Sequence, residues 1–371
     1  MSKLRKIEMA KIPLEIKSNI FSRLPVKIIG KCRCVSKEWL GILTDPYFLQ
    51  LHLERAQKDR QLLFLDQSAD HDDEEDNRRQ VFRFFTTNME GVMQFRARGL
   101  VVGYMYMIPS GHGLVCLVNR GIFCAFNPSM KTIARLPKAQ PSTCGGVDAG
   151  FGYIQSTNEY KLVHLYNIKN EKGLEYTIKC EIMTLSDGGV VSSNSWKQLE
   201  NECPVMVSGW GVLVDKKFYW MVWEGCNPTE DQLIMSLDLE TETFGFIPHP
   251  HVTSYVEGND MFLVELQGQL CLVDTFAYPP VTNVWILKDP VKKIWMKEYT
   301  IDLTKLEGFD DELTQIFILG YLNGELIINS QQERLDFYNV ASRFFRRGPN
   351  LNLRRDTGIC IHTETFFSLK D

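Results

Sequence analysis

Three groups of residues have types and spacings that invite a chemical reading. His249-Pro250-His251 and Cys32-Arg33-Cys34 each set two soft ligands one residue apart. A zinc ion needs three or four such ligands on one scaffold, and neither group has a second pair at metal-site spacing. The ten cysteines are scattered without one Cys-x-x-Cys, so neither a zinc knuckle nor a redox dithiol is signalled. Prolines on both sides of His249 mark a loop, and Cys32 and Cys34 read as helix-packing residues. Residues 70–76 hold six acids in seven positions. They lack the Gly and the spaced Glu of a calcium loop, so they read as a solvated loop or a docking spot for a basic partner. Arg343, Arg346, Arg347, Arg354 and Arg355 form a basic group whose forked donors suit an acidic or phosphorylated ligand. The Gly-x-Gly pairs at 111, 150 and 209 lack the third Gly of a dinucleotide loop, and no P-loop or Gly-x-Ser-x-Gly elbow occurs. The expectation is no catalytic residue, no cofactor and no metal.

The elements around these groups fall into two parts of opposite charge. Residues 1–60 carry 13 basic and 6 acidic side chains, a local +7; the rest carries 28 and 40, a local −12. An acidic body argues against wrapping nucleic acid, because phosphate binding draws on Lys and Arg. No stretch approaches the length of a membrane span and no signal-peptide run opens the chain, so reduced thiols and a cytoplasmic or nuclear address are expected. At 44 % apolar and 23 % charged over 371 residues, the chain has a globular composition.

In the first part, Ile12, Ile16, Ile20 and Leu24 recur every four residues, one apolar stripe at helical spacing. Pro13 suits a first helical turn and Pro25 ends the helix. A second short helix is expected from Val26 to Cys32. Ser36 should cap a third, Lys37 to Leu43, carrying Trp39, Leu40 and Leu43 on one side. Asp45-Pro46 should open a fourth, from Tyr47 to about Ala56. Four short helices cannot build a large core, so their apolar surface must pack elsewhere. Two readings stand on physics alone: a helical cap folded on the body, or a docking module for a partner.

The same residues, in order, carry a resemblance. Residues 12–16 (IPLEI), 20–27 (IFSRLPVK), 32–39 (CRCVSKEW) and 45–48 (DPYF), with His52, resemble an F-box. They are most similar to that of the large plant family with a C-terminal F-box-associated domain. The departures are Ile12, where Leu is usual, Asn19, where an acid is usual, and the second-helix residues Gly30 and Cys32. The resemblance implies that the helices bind the Skp-type adaptor of a cullin–RING ubiquitin ligase. Carried over by position, Pro13, Leu14, Ile16, Ile20, Leu24, Pro25, Val35 and Trp39 would supply the adaptor contact.

The body reads as repeats. Hairpin turns are expected at Gly113, Asn158, Lys216, Gly268 and Gly324, at intervals of 45, 58, 52 and 56 residues. A second set of turns, at Asn127, Asp187, Asp238, Asp289 and Asn339, is 60, 51, 51 and 50 apart. Two hairpins per period of about 50 residues make four strands, the unit of a propeller blade. Five blades are legible. A sixth would join residues 61–107 to a C-terminal strand over 359–367, closing the ring. The expected architecture is therefore an all-α module, residues 1–60, followed by an all-β domain, residues 61–371. The latter should be a six-bladed, kelch-like β-propeller, with a β-sandwich as the competitor. Of the body tryptophans, Trp210 and Trp223 fall near expected loop ends, where they could anchor a partner, as could Arg346 and Arg347.

Residues 111–116, 126–128, 151–153, 159–163, 195–196 and 218–220 also match the plant F-box-associated domain in order. The resemblance then implies a non-catalytic subunit. Its helices dock the adaptor and its body holds an unnamed target protein. The competing readings are an F-box tether outside any ligase, and a propeller-type enzyme or glycan-binding protein with a helical cap.

Overall fold

The computed structural model describes residues 12–69, 79–87, 93–102, 104–119, 121–142, 148–169, 176–188, 196–226, 233–250, 260–276, 279–309, 316–330, 334–348 and 358–369. The acidic run at 70–76, His251, Arg354 and Arg355 lie outside them.

Helices form where the sequence supplies caps and stop where prolines intervene. α1 (Leu14–Phe21) and α2 (Val26–Cys32) each follow a proline at the N-cap. α3 (Lys37–Leu43) is capped by Ser36, whose hydroxyl accepts the Trp39 N–H at 3.1 Å. α4 (Pro46–Ala56) is capped by Asp45, which accepts the Tyr47 N–H at 2.9 Å. The helices share a small core of Phe21, Val26, Ile29, Ile42, Leu43 and Phe48. The apolar stripe of α1 lies on its outer side. Its buried residues are Lys17, Ser18 and Phe21, while Ile16 and Ile20, a hundred degrees round the wheel, face outward. Lys17 tolerates burial because its ammonium donates to Glu38 Oε1 at 2.5 Å. Likewise Leu40 is exposed and Cys34 lies on the surface, while Cys32 does pack against the helical core.

The rest is β-structure in six antiparallel four-strand units. The first joins β1 (Gln61–Ala69), β2 (Arg79–Thr87) and β3 (Met93–Val102) to the last strand, β24 (Gly358–His362), which pairs with β1. The second is β4 (Tyr106–Pro109) to β7 (Thr132–Arg135), through β5 (Val115–Asn119) and β6 (Ile122–Asn127). The third runs β8 (Asp148–Ile154), β9 (Glu159–Lys169), β10 (Tyr176–Ser186) and β11 (Lys197–Gln198). The fourth is β12 (Val207–Val214), β13 (Lys217–Val222), β14 (Ile234–Asp238) and β15 (Thr243–Ile247). The fifth is β16 (Asp260–Leu266), β17 (Gln269–Phe276), β18 (Val281–Asp289) and β19 (Ile294–Asp302). The sixth is β20 (Ile316–Leu322), β21 (Glu325–Ser330), β22 (Arg334–Asn339) and β23 (Phe344–Arg347). Units three and four join into one eight-stranded sheet through a single parallel bridge, Gly150 to Gly211. A Cβ on Gly211 would sit 2.5 Å from Trp220, so only glycine admits that approach.

Strand alternation turns these units into a ring. On β1, Leu63 and Leu65 face the second unit, while Leu62 and Phe64 face the sixth. The seams between units two and three, three and four, four and five, and five and six are each filled by their own apolar cluster. Closure through β24 and the continuous circuit of seams make the domain propeller-like rather than a sandwich. Two tryptophans latch neighbouring blades: Trp196 Nε1 donates to the Pro137 carbonyl at 3.0 Å, and Trp295 Nε1 to that of Pro248 at 2.9 Å.

Turn chemistry repeats with the blades. Asp215-Lys216, Gln267-Gly268 and Asn323-Gly324 each have both residues at positive φ, the two-residue turn that matches strand twist. In the outer hairpins Asn127, Asp238, Asp289 and Asn339 accept backbone N–H bonds from the residues two and three positions on. Each is followed four residues later by a positive-φ residue: Lys131, Glu242, Lys293 and Arg343. In an antiparallel meander the first and third turns leave at one end, and the second turn and the link to the next blade leave at the other. The propeller therefore has two chemically different faces.

Candidate functional site

The exposed apolar surface of the helices is the first candidate. Leu14, Ile16, Ile20 and Val35 are 56 %, 51 %, 52 % and 64 % exposed. Pro13 and Pro25 are also exposed, so six of the eight positions assigned to an adaptor face solvent. The other two, Leu24 and Trp39, are half-buried against the helical core, with Trp39 edge-on to Phe21 at 4.8 Å between ring centres. Ile28, Leu40 and Tyr47, at 40 %, 44 % and 63 %, extend the exposed apolar surface beyond the expected set. So much open apolar surface on a few short helices is the signature of a docking face.

The helices sit on one face of the propeller, the one that carries the first and third turns. Met130, in the outer turn of the second blade, packs against the helical core. So does Phe366, from the segment that follows β24. His52 is held there by burial and by its Nε2 bond with the Leu24 carbonyl at 3.2 Å; burial lowers its pKa. The Arg33 guanidinium lies 4.5 Å above the Phe366 ring, donates to the Leu43 carbonyl at 2.8 Å, and has its pKa lowered by burial. Sequence reasoning missed Phe366 because it extended the last strand to residue 367, whereas β24 ends at His362.

The opposite face carries the second candidate. Trp223 is 49 % exposed just past β13, and its backbone N–H donates to the Met206 carbonyl at 2.9 Å, which extends the β12–β13 pairing of the fourth blade by one bond. Ile168 and Tyr176, at 40 % and 46 %, sit at the same end of the third blade. An open cleft of about 480 Å³, lined by Pro280, Thr304, Leu306, Glu307 and Phe309 among others, lies on this face at the fifth. The remaining candidates differ from expectation. Trp210 lies inside β12, half-buried against the seam between blades two and three, rather than at a loop end. Arg346 already pairs with Glu325 Oε2 at 2.5 Å and covers the Phe337 ring, so its fork is occupied. Arg347 is exposed and 3.7 Å from Glu307. His249 bonds within its own neighbourhood, to the Pro250 carbonyl and Met261 Sδ. Among the described residues no group of three or more metal-ligating side chains converges. The thiols of Cys203, Cys271 and Cys360 are pushed up to about 12 by burial, which makes them packing groups.

Residues 9–51 match the F-box domain, and residues 53–347 match the F-box associated beta propeller domain. The chain belongs to the F-box-associated β-propeller family. Among curated relatives, the F-box protein CPR1 of Arabidopsis thaliana is 28 % identical over 331 residues, spanning 80 % of this chain and 74 % of that protein. The Arabidopsis F-box protein DOR is 25 % identical over 303 residues, spanning 77 % and 73 %. Among solved structures, one titled "Structure of YjhT" aligns at a TM-score of 0.41 and 10 % identity, covering 67 % of this chain and 83 % of that one. That likeness is too loose to bear on function. An F-box with this partner domain has a substrate-recognition role, and its family is generally made of non-catalytic adaptors. Among the described residues no helix is long and apolar enough to cross a membrane.

Proposed function

We propose that this F-box protein is the substrate-recognition subunit of a Skp–cullin–F-box ubiquitin ligase, working in the cytoplasm or nucleus. On this reading the chain divides near residue 60. The exposed surface centred on Leu14, Ile16, Ile20 and Val35 takes the Skp-type adaptor, and the propeller face away from the helices takes the target protein. The observation that carries the reading is the inversion of α1. Its isoleucine stripe points outward although a lysine on the same helix is buried. A helix serving only as a cap would do the reverse. The subunit forms and breaks no bonds. It raises the local concentration of a target lysine near the conjugating enzyme at the far end of the cullin. Trp223, Tyr176 and Ile168 are the described groups best placed to meet a target, since large exposed aromatics make efficient anchors.

The test is assembly. The full chain, co-expressed with a plant Skp-type adaptor and a cullin, should elute with both by size exclusion. The same chain with Ile16→Asp and Ile20→Asp should elute alone. Elution apart from the adaptor by the folded wild-type chain would overturn the reading.

A further inference from the structure

Seven residues beyond β24 run between the helices and the propeller and bond to both. Their two sides have separate duties. Glu364 and Phe366 point to the helices: the Glu364 carboxylate accepts the Val26 N–H at 3.0 Å, at the start of α2. Phe366 enters the helical core, 4.7 Å from the His52 ring. Thr365 and Phe367 belong to the propeller. The Thr365 side chain lies over Gly113, where no Cβ would fit, and Phe367 fills the seam between blades two and three beside Tyr160. The Asn127 amide donates to the carbonyls of Thr365 at 3.2 Å and Phe367 at 2.9 Å. Further on, the Ser368 N–H reaches Asp187 Oδ1 at 2.7 Å.

We propose that this segment is the mount that fixes the helices on the propeller, and so sets the angle between the adaptor-binding surface and the target-binding face. Phe366 is the fully buried member of the helical core that the helices themselves do not supply. The strand that closes the ring against β1 leads directly into this segment. The significance of the angle rests on the ligase reading, but the mount is a property of the chain alone. Its failure and that of the ligase reading are therefore separate results.

The experiment measures the distance between spin labels carried on ketone-bearing residues introduced at Gln50 in α4 and Val291 in the fifth blade, which leaves the native thiols untouched. Both positions are exposed. The parent chain should give one narrow distance distribution. Asn127→Asp keeps the Oδ1 that accepts the Ser129 and Met130 N–H groups but sets a carboxylate oxygen against two tail carbonyls. It should roughly double the width with helical ellipticity unchanged, because the helices then sample several seatings. Phe366→Ala should broaden it likewise, and Phe366→Leu should restore it. An unchanged width in Asn127→Asp would overturn the proposal.

Discussion

Replacing Ile16 and Ile20 together by alanine separates docking from folding. Each side chain is about half exposed in the free chain, at 51 % and 52 %. Full burial of an isoleucine is worth about 1.5–3 kcal/mol, so covering the remaining half yields about 1 kcal/mol each. Alanine forfeits most of that, and the pair should lose about 1.5–2 kcal/mol of adaptor binding. At about 1.4 kcal/mol per tenfold, Kd should rise roughly 10- to 30-fold. The fold should scarcely notice, because neither residue belongs to the helical core and alanine is the better helix former. Isothermal titration of the full chain with the adaptor reads the first number, and a thermal melt of the free chain controls for the second. A Kd within about threefold of the parent, with Tm unchanged, would refute the assignment of this surface. Leu24→Ala makes the contrast: Leu24 packs on the helical core, so that change should lower both affinity and Tm.

Three further outcomes follow from the packing. Asp274 is fully buried with neither carboxylate oxygen hydrogen-bonded, and burial pushes its pKa up to about 6. A raised carboxylate pKa means the unfolded chain ionises first. Stability should therefore fall as pH rises from about 4 to about 6, and Asp274→Asn should raise Tm at pH 7.5 but not at pH 4; an equal effect at both would contradict the cause given. Gly211→Ala places a Cβ 2.5 Å from the Trp220 ring and should cost about 1–3 kcal/mol, read as a lower urea midpoint. Asp289→Ala removes the Oδ1 that accepts the Val291 and Lys292 N–H groups at 3.0 and 2.9 Å, and should cost about 1 kcal/mol by the same assay, an unchanged midpoint counting against the turn's role.

What was legible in the sequence was local. The starts of α3 and α4 were visible because Ser36 and Asp45 are caps that act within three residues. The blade turns were visible because they demand positive φ or a side chain that bonds its own backbone, as at Asn323-Gly324 and Asp238. Ring closure through the C-terminal strand was also legible, since an open propeller leaves unpaired edges. Less legible were strand ends and which residues pack on which. The apolar stripe of α1 was visible, but which face is buried depends on Glu38 reaching Lys17 from 21 residues away. Trp210 was expected near a loop end, yet it lies with Gly209 and Gly211 inside strand β12. Most remote of all is the bond from Val26 to Glu364, 338 residues apart, which no local pattern around Glu364 announces.

The most direct measurement of the central claim is a hydrogen-exchange footprint of the full chain with and without a plant Skp-type adaptor. Protection is predicted over residues 13–40, strongest along α1 and around Val35, with blades three to six unchanged. Protection centred on the propeller, or none at saturating adaptor, would contradict the claim that these helices are the docking module.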